Sequence, residues 1–130
     1  MIEVRDRLVA AAVAGVVSGA PSTAASLCSS GSVLSATRAA GTLLGRPTVP
    51  RGIAAHVVLS MSWGAVLARV LPRGHRALAG AVAGAGIAAL DLGVVGRRLP
   101  AIRSLPQLPQ WADHLVFGAV FGAVLDARDR

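Results

Sequence analysis

The sequence has no lysine, no tyrosine and a single cysteine, Cys28, in 130 residues. Charged residues make up 15% and aromatic residues 3% of the chain, whereas a soluble globular domain carries about 25% charged residues. The chain therefore has too few polar side chains to cover itself in water, and its single cysteine cannot form an internal disulfide. These shortages exclude a disordered chain, a disulfide scaffold and an ordinary water-soluble enzyme.

The residues that are present favour a membrane. Hydrophobic residues make up 54% of the chain, and all 13 basic residues are arginines, which give a formal net charge of +7. A nucleic-acid-binding protein clusters such charge on a polar face among aromatic residues. Here the arginines lie between apolar runs, where lipid headgroups attract them. The lipid bilayer is therefore the expected partner, nucleic acid is not, and no cofactor is predicted.

Four segments are long enough to cross a bilayer, which takes about 20 mostly apolar residues in a helix. Runs of this length without alternation fit helices and not strands. The predicted spans are residues 8–28, 52–71, 77–95 and 110–127. A shorter segment, residues 32–45, has apolar residues at helical spacing (33, 34, 37, 40 and 44) and is predicted to lie along the interface. The expected fold is one all-α domain over residues 1–130, a four-span bundle with an interfacial amphipathic helix between spans 1 and 2.

The N-terminal segment has alternative interpretations. Residues 18–20 resemble a signal-peptidase site, and residues 25–28 resemble a lipobox. Pro21 directly after the first site, and Leu27 where the second needs a small residue, argue for an uncleaved span. Proline removes a backbone donor, so a kink is expected at Pro21. The nearby hydroxyl groups either satisfy that kink or mark a polar half-helix that lines a cavity.

Small residues recur four positions apart on every predicted span. Small side chains let helices approach closely in lipid, where no hydrophobic effect drives association. A chain with 15 glycines produces some of these spacings by chance, but their presence on all four spans indicates tight packing, within the chain or between copies. The ridges are Gly15/Gly19, Ser60/Gly64/Ala68, Gly80/Gly84/Ala88 and Gly118/Gly122.

Polar side chains fall on the same helical stripes as these small residues, at 100° per residue. A charge that faces hydrocarbon costs at least about 2.5 kcal/mol, so these groups are expected between helices. With four spans, they all lie near one membrane face. The sequence therefore predicts a polar pocket that opens to that face, built from His56, Asp91, Asp113, His114, Ser22 and Ser26.

The pocket residues leave several chemistries open. They show no metal-ligand spacing, and we predict no metal site. Intramembrane Asp and His are typical of proton relays. The simpler alternative is that Asp91 pairs with His56, His114 or an arginine and only fastens the bundle, while Asp113 caps the fourth helix after Pro109. No nucleophile elbow, phosphate loop, dinucleotide fingerprint or zinc-protease motif is present, so no catalytic residue is predicted.

Three strings carry a resemblance to a known group. They are RAAGTLL at 38–44, DLGVVGRR at 91–98 and ADH at 112–114. Together with the arginine-only, alanine-rich composition, they resemble uncharacterised small polytopic membrane proteins of high-GC actinobacteria. The resemblance covers most of the chain and implies a multi-pass membrane protein, but it transfers no activity.

Two functions are therefore expected. The first is a non-enzymatic protein of the cell membrane, here a bacterial inner membrane, that acts as an oligomeric or accessory scaffold subunit. Its small-residue ridges would then pack against further copies or a larger membrane protein. The alternative is a small transporter or proton-coupled carrier that uses the Asp/His pocket. Seven arginines on the side of the termini against six on the other favour termini inside by one residue.

Overall fold

The computed structural model describes residues 2–130, and this part of the chain forms helices and no strands. The predicted all-α class is confirmed. The α-helices are α1 (Val4–Val17), α2 (Ala20–Cys28), α3 (Ser35–Gly41), α4 (Val49–Val70), α5 (Arg76–Leu90), α6 (Pro100–Arg103) and α7 (Gln107–Arg128). A 3-10 turn, Thr42–Leu44, extends α3, and a π turn, Asp91–Val95, followed by a 3-10 turn, Gly96–Arg98, extends α5.

Three stretches in residues 2–130 are long and apolar enough to cross a membrane: Val4–Cys28, Val49–Val70 and Arg76–Arg98. They overlap the first three predicted spans. Helix α7 has the same 22 residues as α4, but it falls outside this set. Its first two turns carry Gln107, Gln110, Asp113 and His114, which lower the hydropathy of an otherwise apolar helix.

The first stretch is broken rather than kinked. Helix α1 ends at Val17 and α2 begins at Ala20, so Pro21 lies in the first turn of α2. Proline fits there because the amide it lacks has no partner inside the helix. The break therefore precedes the predicted position. The Ser18 and Ser22 hydroxyls donate to the Gly15 and Gly19 carbonyls, three residues earlier, at 3.3 and 3.2 Å.

Helix α7 is the centre of the bundle, with α5 on one side and α1 on the other. Helices α5 and α7 run antiparallel with their backbones in contact. A Cβ at Gly80 would overlap the Gly118 carbonyl, one at Gly84 the His114 carbonyl, and one at Gly122 the Arg76 carbonyl. Only glycine permits this approach, so these ridges pack against each other within one chain.

Helix α4 packs against α1, also antiparallel. A Cβ on Gly15 would lie 3.0 Å from the Ser60 hydroxyl, and one on Gly64 would lie 2.8 Å from Ala11 Cβ. Gly19 has no such neighbour within 4 Å. The four long elements thus alternate in direction along the chain. Their shared core consists of Ala10, Ala11, Ala14, Leu67, Ile87, Phe117, Phe121 and Leu125.

The segment predicted as an interfacial helix forms α3 and its 3-10 turn, which pack against the start of α4. A Cβ at Gly52 of α4 would overlap the Thr37 carbonyl, so α3 crosses α4 backbone to backbone. Ala39 is buried with Ile102 of α6, a short helix that the sequence did not predict. Helices α3 and α6 together cover one end of the bundle.

The opposite end is held by ion pairs around Arg76, whose side chain is 5% exposed. Its guanidinium donates to Asp126 at 3.1 Å and to Asp129 at 3.0 Å, and its backbone N–H donates to Asp126 at 3.1 Å. The end of α7 therefore caps the start of α5. Arg128 also pairs with Asp6 of α1 at 2.8 Å. From the sequence, Arg76 was counted only among the seven arginines on the side of the termini.

Outward-facing side chains on these helices are largely apolar. Val58 is 60% exposed, Leu78 71% and Val82 69%. Such a surface would be costly in water over so many positions. This surface fits an apolar environment, and the hydropathy of the three long stretches indicates the same environment.

The glycine contact makes a prediction about stability. We expect Gly84→Ala to lower the free energy of unfolding by about 1–3 kcal/mol, because the added Cβ forces α5 away from the α7 backbone. Gly86 on the same helix provides the matched control, because a Cβ added there would meet no neighbouring atom within 4 Å. Gly86→Ala is expected to be neutral or to stabilise by up to about 1 kcal/mol. Thermal unfolding in a mild detergent, followed by circular dichroism, measures both; equal destabilisation would contradict the contact.

The ion-paired end predicts an acid dependence. The Arg76 guanidinium, hydrogen-bonded to the Asp129 carboxylate, holds the pKa of Asp129 below its ordinary value. A lowered folded pKa means that the pair stabilises the fold above the unfolded pKa of about 3.9, and that this contribution is lost as the pH falls through the folded pKa. The melting-temperature difference between wild type and Asp129→Asn is therefore expected to be greatest near neutral pH and to vanish in strong acid. A difference that grows on acidification would exclude this role.

Candidate polar cavity

A cavity of about 410 Å³ lies at the end of the bundle opposite Arg76. Five of the six predicted pocket residues line it, from four different long elements: Ser22, His56, Asp91, Asp113 and His114. The sixth, Ser26, does not. It lies one turn further along α2, where its carbonyl accepts the Gly31 N–H at 2.9 Å. We call this space the polar cavity.

The cover of the polar cavity comes from α3 and from the residues around α6. Val33, Thr37 and Ala40, which belong to the apolar stripe seen in the sequence, line the polar cavity. Ile102 and Leu105 complete this side. The amphipathic pattern of α3 is thus matched by a surface inside the protein.

Asp113 joins the two halves of the broken first stretch to α7. Its Oδ1 accepts the backbone N–H of Ser22 at 2.9 Å. Ser22 is in the first turn of α2, where N–H groups lack partners within the helix, and a carboxylate is favoured there. The expectation that Asp113 caps its own helix is wrong, because α7 begins six residues earlier, at Gln107. It caps α2 across the bundle instead.

The geometry of the Asp91–His114 pair requires one proton between the two side chains. His114 Nδ1 lies 2.8 Å from the Gln110 carbonyl, which can only accept, so Nδ1 carries a hydrogen. His114 Nε2 lies 3.3 Å from Asp91 Oδ2. Two lone pairs would repel at that distance, so one proton lies between them, either on the imidazole or on the carboxyl group. In both cases the pair is neutral overall.

His56 is anchored to α1 rather than to Asp91. Its Nε2 lies 2.7 Å from the Gly15 carbonyl and therefore donates to it. The other ring nitrogen, Nδ1, keeps its lone pair and can accept a proton. Of the partners considered for Asp91, the structure selects His114; Arg97 and Arg98 are exposed and do not pair with it.

Irregular backbone flanks the polar cavity on two sides. One irregularity is the break between α1 and α2. The other is the π turn that begins at Asp91, where the Gly96 N–H closes the wider turn on the Asp91 carbonyl. π turns within α-helices occur frequently at functional sites. Both irregular segments present polar groups to the same space.

The rest of the polar cavity wall is mainly apolar. Trp63 and Phe117 supply aromatic surface, and Val16, Ile87 and Leu92 supply aliphatic surface. Sequence analysis did not select Trp63, although it follows His56 by seven residues, two helical turns along the same face of α4. Gln110 also lines the polar cavity. It lies four residues, about one helical turn, before His114, so helical spacing points to it in the same way.

The charge of the polar cavity follows from these hydrogen bonds. The Asp91–His114 pair is neutral, and His56 is neutral unless Nδ1 takes a proton. Burial of Asp113 opposes its ionised form, and the N–H that it accepts from Ser22 favours that form. No arginine is among the lining residues. With Asp113 ionised and His56 neutral, the polar cavity carries one net negative charge.

Within residues 2–130, no three His, Cys, Asp or Glu side chains are grouped so that they could hold a metal ion. Comparison with models of protein families, with curated proteins and with solved structures gave no match. The residues of the polar cavity are therefore the basis for any functional inference.

The Asp113–Ser22 contact predicts a graded effect on stability. Removing the carboxylate with Asp113→Ala leaves the Ser22 N–H without its acceptor, and we expect a loss of about 1–2 kcal/mol. Asp113→Asn keeps an acceptor oxygen, so a smaller loss is expected. Thermal unfolding in detergent checks the order. Equal destabilisation by Asn and Ala would contradict this order and would assign the stabilisation to the negative charge rather than to an acceptor oxygen.

Proposed function

We propose that this protein is a four-span carrier of a bacterial inner membrane that moves protons, alone or coupled to a small solute, through the polar cavity. The observation that carries the proposal is the meeting of His56, Asp91, Asp113 and His114 in one cavity. Ionisable groups inside membrane spans mark ion and proton pathways more often than other positions do. The lining comes from four elements, so small movements between helices would change it.

The proposal includes α7 as the fourth span. A helix of 22 residues is about 33 Å long, close to the roughly 30 Å thickness of the hydrocarbon core. Gln110, Asp113 and His114 in its first half face α2 and the polar cavity rather than lipid, which lowers the cost of burying them. The antiparallel contact with α5, an apolar stretch long enough to span, supports the same depth for both helices.

The carrier hypothesis has better support than the scaffold hypothesis. The scaffold hypothesis depended on small-residue ridges being available to other molecules. Gly80, Gly84, Gly118 and Gly122 instead contact one another's helices inside the chain. An oligomer would have to use other surfaces.

A proton could enter and leave the polar cavity in separate steps. The Asp91–His114 pair holds one proton, and His56 Nδ1 can accept another. Beyond the polar cavity, Leu67, Phe121 and Leu125 are almost fully buried and separate it from the ion pairs at the far end. Such a barrier on one side suits a carrier that opens to each side in turn. The arginine distribution favours the termini on the inner side.

Proton flux tests the proposal. Purified protein in liposomes with a trapped pH-sensitive dye is given a pH gradient, with potassium and valinomycin to dissipate the membrane potential. We expect Asp91→Asn to slow the flux at least about tenfold, because asparagine cannot take and release the shared proton. Glu3→Gln makes the same carboxylate-to-amide change on an exposed residue at the ion-paired end and is expected to retain wild-type flux.

Stability separates the carrier from a structural role. If Asp91 only fastens the bundle, Asp91→Asn lowers the melting temperature in detergent and leaves the flux unchanged. If the wild-type protein shows no flux above empty liposomes, uncoupled proton transport is excluded, and the coupled form is rejected if the organic cation probe described below adds no flux either.

A further inference from the structure

We infer that the polar cavity binds an organic cation with a single positive charge and an apolar, preferably aromatic, body. The inference rests on the proposed carrier function, since it names the substrate class of that carrier. It also predicts binding that can be measured without transport.

The charge of the ligand follows from the proton count. The shared proton makes the Asp91–His114 pair neutral, and His56 already donates to the Gly15 carbonyl at 2.7 Å. In its ionised form Asp113 is the carboxylate of the polar cavity that has neither a proton nor a positive side chain bonded to it, and its Oδ1 accepts the Ser22 N–H at 2.9 Å. An uncompensated charge in a low-dielectric site is costly, and a ligand with one opposite charge removes that cost.

The body of the ligand follows from the walls. A volume of about 410 Å³ lies within the range of about 300–1,000 Å³ typical of small-molecule pockets. Trp63 and Phe117 present aromatic surface, and aromatic faces attract cations as well as apolar groups. A quaternary ammonium group has no N–H, so it needs no hydrogen-bond acceptor from the mainly apolar wall.

An anionic ligand is disfavoured by the same wall. The lining contains no arginine, and the arginines near this end, such as Arg97 and Arg98, are exposed. The one lining group besides the neutral pair that can become positive is His56. An anion would therefore face Asp113 without a fixed positive partner.

Calorimetric titration with a matched pair of small probes tests the inference. The full chain in an uncharged sugar detergent, near neutral pH, is titrated with benzyltrimethylammonium and separately with phenylacetate, against empty micelles as the blank. The two probes share an aromatic ring and differ in the sign of their charge. We expect saturable binding of the cation and, by comparison, at least about tenfold weaker binding of the anion, which corresponds to about 1.4 kcal/mol. Equal binding of the two probes, or no saturable binding of the cation, would overturn the inference.

Two carboxylate-to-amide variants locate the charge. Asp113→Asn keeps an acceptor for the Ser22 N–H and removes the charge, and we expect it to weaken cation binding at least about tenfold. Glu3→Gln is expected to bind as wild type does. Unchanged affinity in a folded Asp113→Asn protein would refute the assignment, and if that variant does not fold, the comparison of probes in wild type still decides. Cation binding without proton flux would reject the carrier proposal alone, whereas flux without cation binding would reject only this inference.

Discussion

The backbone contact between α5 and α7 is the constraint on which the other distances in this bundle depend. At Gly80 and Gly118 the two helices touch without intervening side chains, and a Cβ on either would overlap the opposite carbonyl. Such a contact fixes rotation and register together, because sliding by one residue would bring a side chain into the interface. It sets Arg76 beside Asp126 at one end and Asp91 beside His114 at the other.

The two ends of the bundle use their charges differently. At the Arg76 end, a buried guanidinium pairs with two carboxylates, so each of these charges has a partner of opposite sign within the protein. At the polar cavity, the hydrogen bonds of Asp113 and His56 use Oδ1 and Nε2, respectively, and the second carboxyl oxygen and the second ring nitrogen take no part in them. Buried charges are expensive unless they are paired. At the Arg76 end the protein itself pairs the buried charges, and at the polar cavity we propose that a proton or a ligand does so.

The break in the first stretch shows how irregular backbone is tolerated in an apolar chain. A broken helix leaves N–H and C=O groups without partners, and these must be satisfied inside the protein. Here the Ser22 N–H is taken by Asp113 of α7, and the Gly15 carbonyl by His56 of α4. The polar groups that line the polar cavity are thus also the groups that hold the break. This dual use explains why the cavity and the break lie at the same depth.

Hydropathy, proline positions and residue spacing were sufficient to predict the all-α class and three of the long apolar stretches, because these properties depend on neighbours along the chain. They also selected polar residues on one stripe of each helix, such as His56 and His114. These properties did not predict which residue each polar side chain would bond. Asp113 bonds Ser22 across a sequence separation of 91 positions. Arg76 is bonded to two aspartates that lie 50 and 53 positions further along the chain. Those contacts follow from the rotation and register of packed helices, which side-chain packing decides and which no single helix determines.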